Sequence, residues 1–139
     1  MEMQISQLTW IPGMDTKGVE VVFACGGGIY TSAAEAAVKT GGKVIGVDLD
    51  QSVTINEYKD GLTVTSAMKG LQVTIDNVLD AILNDEWDEY VGKIENLGME
   101  SPDPVENYVQ LPEETTQWDD TFYKRRLSET GRENVQRRI

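Results

Sequence analysis

Two short, uninterrupted apolar runs, with an alanine-rich stretch between them, constrain the fold of this chain most strongly. Residues 19–24 and 43–47 are rich in β-branched side chains, a pattern typical of strands buried on both faces of a parallel sheet. Residues 31–39 between them predict a helix, which Gly41 and Gly42 end. The three segments together predict a β-α-β unit, since parallel neighbouring strands require a crossover connection.

The chain continues with further elements of the same kind. Residues 62–65 predict a short third strand, and residues 67–83 predict a long helix. Residues 92–97 and 105–111 have the composition of two more short strands. The apolar residues of the long helix recur at three- and four-residue spacing on one face and are Met68, Leu71, Ile75, Val78, Leu79 and Ile82.

This order of elements predicts an α/β class, specifically a Rossmann-like three-layer lobe around a parallel sheet. Its 139 residues suffice for one domain, which we place at residues 19–111. Residues 1–18 stay unassigned. Residues 112–139 form a polar tail whose last 20 or so residues have little periodicity, a composition typical of disorder.

Polar or glycine-rich segments follow each of the three predicted strands. The first strand leads into residues 25–28, with three consecutive glycines, the second into residues 48–51, and the third into residues 65–69. In an open parallel sheet, ligands bind outside the carboxyl ends of the strands, so we expect these segments to converge at one edge. The convergence is more informative than any single segment.

Each segment offers a distinct contribution to a ligand site. Gly26 and Gly27 let backbone approach a ligand closely. Asp48 or Asp50 could accept two hydrogen bonds from a vicinal diol, and Lys69, expected in the first turn of a helix, could donate one to a hydroxyl. Simpler interpretations remain open, namely a tight strand-to-helix turn for the glycines, a helix-capping role for the aspartates and a solvated surface position for the lysine.

Three enzyme motifs also have partial counterparts in the chain. An apolar strand followed by D-x-D at Asp48 and Asp50 is similar to the nucleophile motif of magnesium-dependent haloacid-dehalogenase-type phosphatases, whose Ser/Thr and Lys, unlike Ser66 and Lys69, come from distant segments. Ser66 to Lys69 matches S-x-x-K of penicillin-binding enzymes, but no S-D-N occurs. The glycines after the first strand lack the G-x-G-x-x-G spacing of dinucleotide-binding proteins. We therefore expect a binding protein without catalytic residues, with the phosphatase as the alternative.

Composition excludes several function classes. The net charge of −12 argues against nucleic acid as a partner, and the absence of histidine excludes a His-based triad and a His-ligated zinc. Cys25 is the single cysteine, so no internal disulfide framework exists. No cofactor and no metal site are predicted. The chain has no run of about 20 apolar residues and no recognisable signal peptide or lipid-attachment site.

Residues 18–83 resemble the basic membrane protein family of substrate-binding lipoproteins, the purine-nucleoside-receptor type. The resemblance depends on the apolar strand before the glycine turn, on I-G-V-D-L-D-Q at residues 45–51 and on T-S-A-M-K at residues 65–69. It implies one lobe of a type I periplasmic-binding fold that binds a nucleoside and delivers it to the permease of an ABC transporter. The glycine turn near Gly27, Asp48 and Lys69 would hold the ribose, while Asp50 and Gln51 more closely fit a role in ordering the loop.

The resemblance carries further expectations about the chain as a whole. Proteins of that family are much longer, and the lobe expected to stack on the base has no counterpart here, so we interpret the chain as a C-terminal-half fragment. We expect weak or undetectable nucleoside affinity, and self-association through surface that would otherwise face the other lobe. The family location is the periplasm or the outer face of the cell membrane. A ligand-sensing domain of the same fold, without a transport role, is a further alternative.

Overall fold

A computed structural model describes residues 13–117 of the chain. Residues 13–17 are helical and are followed by the strands and helices that form the sheet and its flanks. The strands are β1 (Val21–Phe23), β2 (Lys43–Asp48), β3 (Thr63–Lys69) and β4 (Val109–Gln110), and the helices are α1 (Tyr30–Thr40), α2 (Ser52–Ile55) and α3 (Leu71–Leu83). Short 3-10 turns lie at Gly27–Ile29, Trp87–Glu89 and Pro104–Glu106.

The fold is α/β, with an open four-stranded sheet in the order β1-β2-β3-β4. β1 pairs with β2 in parallel, and β2 pairs with β3 in parallel. The second pairing shifts register between Val44 and Ile45, after which Asp48 stands opposite Met68. The predicted parallel sheet with flanking helices is therefore confirmed at the level of fold class.

The described residues divide into two compact units. The first comprises residues 13–68 and 111–117, and it holds β1, β2, α1, α2 and most of β3. The second comprises residues 69–110 and holds α3 and β4.

The core of the first unit is built from small side chains. Ala33, Ala34, Ala36 and Ala37 of α1 are fully buried beside Val22 and Val44 and the residues Ala24, Ile55 and Leu62. An alanine face lets a helix approach a sheet closely. Gly42 serves the same packing, because a Cβ there would collide with the terminal methyl of Met14 and lie 3.0 Å from the Glu20 carbonyl oxygen.

The prediction that the first strand is buried on both faces is wrong. Val22 is buried, but Val21 and Phe23 are 42% and 47% exposed. Successive strand residues point to opposite faces, so the face of β1 opposite α1 is open. A continuous apolar run shows that both faces of a strand are apolar. It does not show that other parts of the described chain pack on both faces.

Several predicted boundaries also move. The third strand is longer than predicted and ends at Lys69, so Lys69 is a strand residue rather than the first-turn helical residue expected. Gly70 then occupies the N-cap of α3, and the helix begins four residues later than predicted. Residues 92–97 form no strand, and of residues 105–111 only Val109–Gln110 pair as one. Residues 1–12 of the unassigned segment lie outside the described residues, as does the tail from residue 118.

Asn107 organises the irregular segment of the second unit. Its side chain is 1% exposed and its Oδ1 accepts hydrogen bonds from the Glu100 and Ser101 amides at 2.5 and 2.9 Å. Its Nδ2 donates to the carbonyl oxygens of Ser101 and Asp103 at 3.0 and 2.8 Å. One amide side chain thus satisfies four backbone groups of residues 100–103, which have no strand or helix partners.

None of the helices within the described range combines the length and the apolar character required to cross a bilayer.

Candidate functional site

The carboxyl ends of three parallel strands define the candidate site. β1, β2 and β3 are successive neighbours running in the same direction, so their carboxyl ends lie at one edge of the sheet. The glycine turn follows β1, Asp48 is the last residue of β2, and Lys69 is the last residue of β3. The strand ends therefore meet at one edge as predicted, but residues 65–69 are part of β3 itself and not a segment that follows it.

The glycine turn at this edge adopts backbone angles that favour glycine. Gly26 has φ 153° and Gly27 has φ 42°, both in the region that side chains with a Cβ rarely occupy. The turn is closed by hydrogen bonds from the Gly26 amide to Ala24 O (3.2 Å) and from the Ile29 amide to Gly26 O (3.1 Å). A Cβ built on Gly27 or Gly28 would meet no heavy atom within 4 Å, so open space adjoins the turn.

Asp48 is the most unusual backbone position at the edge. Its φ of 73° lies in the left-handed region, and the Leu49 amide donates to the Val47 carbonyl oxygen at 2.9 Å. A hydrogen bond between residues two apart, across a residue with φ near +75°, defines a rare and strained γ-turn. Strained residues of this kind persist only where their surroundings hold them, and they concentrate at functional sites.

Gln51 and Ser66 hold the turn around Asp48. Gln51 Oε1 accepts from the Val47 amide at 3.0 Å, and the Gln51 amide donates to Ser66 Oγ at 3.1 Å. Ser66, in the neighbouring strand β3, is completely buried. The side chain of Gln51 therefore satisfies the Val47 amide, while the backbone amide of Gln51 anchors the loop to β3.

Gly46 makes room for this arrangement. A Cβ at position 46 would lie 2.6 Å from Ser66 Oγ, 2.9 Å from Gln51 Cβ and 3.0 Å from Gln51 Oε1. Sequence reasoning gave this glycine no role. An isolated glycine inside an apolar strand signals a close approach of other atoms, so its position in the I-G-V-D string could have identified it.

Asp50 has both carboxylate oxygens occupied within the loop. Oδ1 accepts from the Ser52 amide at 3.0 Å, and Oδ2 accepts from the Thr115 hydroxyl at 2.7 Å. Partial burial acts to raise the pKa of Asp50, but the hydrogen bonds from Thr115, Ser52 and Ser66 outweigh it and lower the pKa below its ordinary value of 3.8. This environment fits the loop-ordering role suggested for Asp50.

A distant segment of the chain completes the support of the loop. The Thr116 and Thr65 hydroxyls are 2.8 Å apart, and the Gln117 amide donates to Val64 O at 2.8 Å, where the register of β3 shifts. These contacts, with that of Thr115, hold residues 115–117 against β3 and the Asp50 loop within the first unit. These contacts could not be predicted from the sequence. Thr115 lies 65 positions from Asp50 in a polar stretch, and such a composition is typical of solvent-exposed chain.

The predicted contacts of a ligand with Gly26, Gly27, Asp48, Asp50 and Lys69 remain predictions. The structure adds two facts about the aspartates: Asp48 has a strained backbone, and both carboxylate oxygens of Asp50 accept hydrogen bonds within the first unit. Among residues 13–117, no three Cys, Asp or Glu side chains come together as a group that could hold a metal ion.

Comparisons with protein-family models, with curated proteins and with solved structures each found no match to this chain.

Proposed function

We propose that the carboxyl edge of β1–β3 binds a small ligand through a vicinal diol, and that this ligand is a nucleoside held by its ribose. The observation that carries the proposal is the strained γ-turn at Asp48, at the carboxyl end of a parallel strand. A carboxylate in that position can accept a hydrogen bond on each oxygen from two adjacent hydroxyl groups.

The support around Asp48 suits recognition. Gln51 and Ser66 already bond the loop to itself and to β3, so ligand binding would not have to order it. A site that is rigid before binding loses less conformational entropy when the ligand arrives. The network is thus more consistent with a preorganised ligand contact than with a turn that only connects two elements.

The neighbouring segments complete the proposed site. Open space beside Gly27 and Gly28 would admit the sugar against the backbone, which a side chain at Gly27 would hinder. As the resemblance implies, Lys69 would donate to a ribose hydroxyl. The finer fold that accompanies this proposal is one lobe of a type I periplasmic-binding protein, acting as the substrate-binding part of an ABC transport system, as the resemblance implies.

The proposal predicts binding that depends on the diol. We expect adenosine to bind the full chain with a dissociation constant on the order of 1 mM, measured by NMR titration. Removing both hydroxyls, as in 2′,3′-dideoxyadenosine, should weaken binding by at least about tenfold, because hydrogen bonds to a charged acceptor are lost. Asp48→Asn should weaken adenosine binding by a similar factor, since asparagine tolerates the left-handed backbone but lacks the charge.

Asp60→Asn is the matched control. Asp60 is an exposed acid in the turn before β3, so its substitution removes the same charge away from the strand ends and should leave binding unchanged. Equal affinity for the two nucleosides, or equal affinity of the Asp48→Asn variant and the parent chain, would contradict the proposal. Magnesium-dependent release of phosphate from an aryl phosphate, abolished by Asp48→Asn, would instead support the phosphatase alternative.

A further inference from the structure

An apolar stripe runs along the exposed side of α3. Its members are spaced by three or four residues, so they share one face of the helix. They are Leu71 (56% exposed), Ile75 (57%), Leu79 (51%), Ile82 (48%) and Leu83 (80%). The apolar spacing predicts an amphipathic helix, yet the face that carries this spacing is largely open. A contiguous apolar face of this kind marks an interaction surface.

Acidic residues border the stripe. Asp76 and Asp80 are exposed and each follows a member of the stripe by one position, so they form a parallel row along the helix. Residues 69–110 contain ten Asp and Glu against two lysines. A partner for this face should therefore combine apolar side chains with positive charge.

The end of the chain has that composition. Residues 122–127 read F-Y-K-R-R-L, three large apolar side chains enclosing three cations. Residues 122–139 contain six Lys and Arg against two Glu, the opposite balance to residues 69–110. A second copy of α3 is a poorer partner, because facing stripes would bring the Asp76–Asp80 rows of two molecules together.

We propose that residues 122–127 of the same chain bind along the α3 stripe, with Phe122, Tyr123 and Leu127 on the apolar side chains and Arg125 and Arg126 beside Asp76 and Asp80. Tethering in one chain raises the effective concentration of the segment, so modest contacts suffice. The tail thereby shields the stripe from solvent. This inference is independent of the proposed ligand site.

A charge swap in the full chain tests the inference. We expect the double substitution Arg125→Glu and Arg126→Glu to speed hydrogen exchange of the α3 amides by about fivefold, as expected when two surface ion pairs become like-charge pairs. Adding Asp76→Lys and Asp80→Lys should restore the original exchange rates. Lys39→Glu with Lys59→Glu makes the same change of charge on exposed residues of the first unit and should leave α3 unchanged.

Each outcome decides the inference. Unchanged exchange in the tail variant, or faster exchange that the swap fails to reverse, would overturn it. Exchange of α1 amides, measured in the same samples, reports whether the variants stay folded. If the Arg125→Glu/Arg126→Glu variant unfolds, the test rests on the fourfold variant that adds Asp76→Lys and Asp80→Lys. Exchange rates of that variant that differ from those of the parent chain would then overturn the inference. Protection that rises with protein concentration, together with a dimer in light scattering, would show that a second copy covers the stripe and would also overturn it.

Discussion

Replacing Gly46 with alanine is predicted to destabilise the protein far more than a glycine-to-alanine change normally does. The new Cβ would lie 2.6 Å from Ser66 Oγ and 2.9 Å from Gln51 Cβ. The serine hydroxyl can rotate away, but Gln51 Cβ is attached directly to the backbone and can move only with the loop. The substitution therefore acts on the turn that holds Asp48.

The magnitude follows from two contributions. Forcing an extra methyl group into a packed site costs about 1–3 kcal/mol. Displacing Gln51 weakens its bonds to the Val47 amide and to Ser66, and each hydrogen bond is worth roughly 1 kcal/mol. We expect a loss of about 3 kcal/mol in the free energy of unfolding, measured by urea denaturation.

Gly98→Ala is the matched control, because a Cβ at Gly98 would meet no atom within 4 Å and its φ lies outside the positive region. Its effect should stay within about 1 kcal/mol. The Gly46→Ala variant should also lose the diol-dependent part of adenosine binding. Equal unfolding free energies of the two variants would refute the conclusion that Gly46 leaves the space that the Gln51 side chain occupies.

Two further predictions concern Asp50 and Gly70. The lowered pKa of Asp50 means that its ionised form stabilises the fold above pH about 3.8 and that this stabilisation disappears as the pH falls through the lower pKa of the folded state. The difference in unfolding free energy between the parent chain and Asp50→Asn should therefore shrink between pH 6 and pH 3 in urea titrations; a constant difference would contradict the hydrogen-bonding environment described. Gly70→Ala should cost about 2 kcal/mol and accelerate hydrogen exchange at residues 98–110, because the new Cβ would collide with Asn107 O and lie 2.9 Å from Val73 Cγ1. A loss of unfolding free energy no larger than that of Gly98→Ala would contradict this prediction, because residues 98–110 would then have moved aside at little cost.

Local patterns in the sequence predicted the central fold well. β-branched runs, an alanine-rich helix and glycine stops identified β1, α1 and β2, because each depends on neighbours within a few residues. The parallel sheet followed from their order, and with it the meeting of the glycine turn and Asp48 at one edge.

Predictions failed where distant contacts decide the structure. The extension of β3 to Lys69 depends on pairing with β2 up to Asp48, which the sequence of β3 alone does not reveal. Residues 92–97 have strand composition, but the described chain gives them no partner strand, and the supporting side chain of Asn107 bonds only to the residues that follow, 100–103. Thr115 reaches Asp50 across 65 positions, and only the folded chain brings the two together.

The most direct test of the proposed site is a map of the backbone amides that respond to adenosine in the full chain. We expect the largest chemical-shift changes to cluster at residues 24–29, 46–52 and 66–69. The same concentration of 2′,3′-dideoxyadenosine should produce much smaller changes there. Shifts confined to other residues, or the same shifts from both nucleosides, would contradict it.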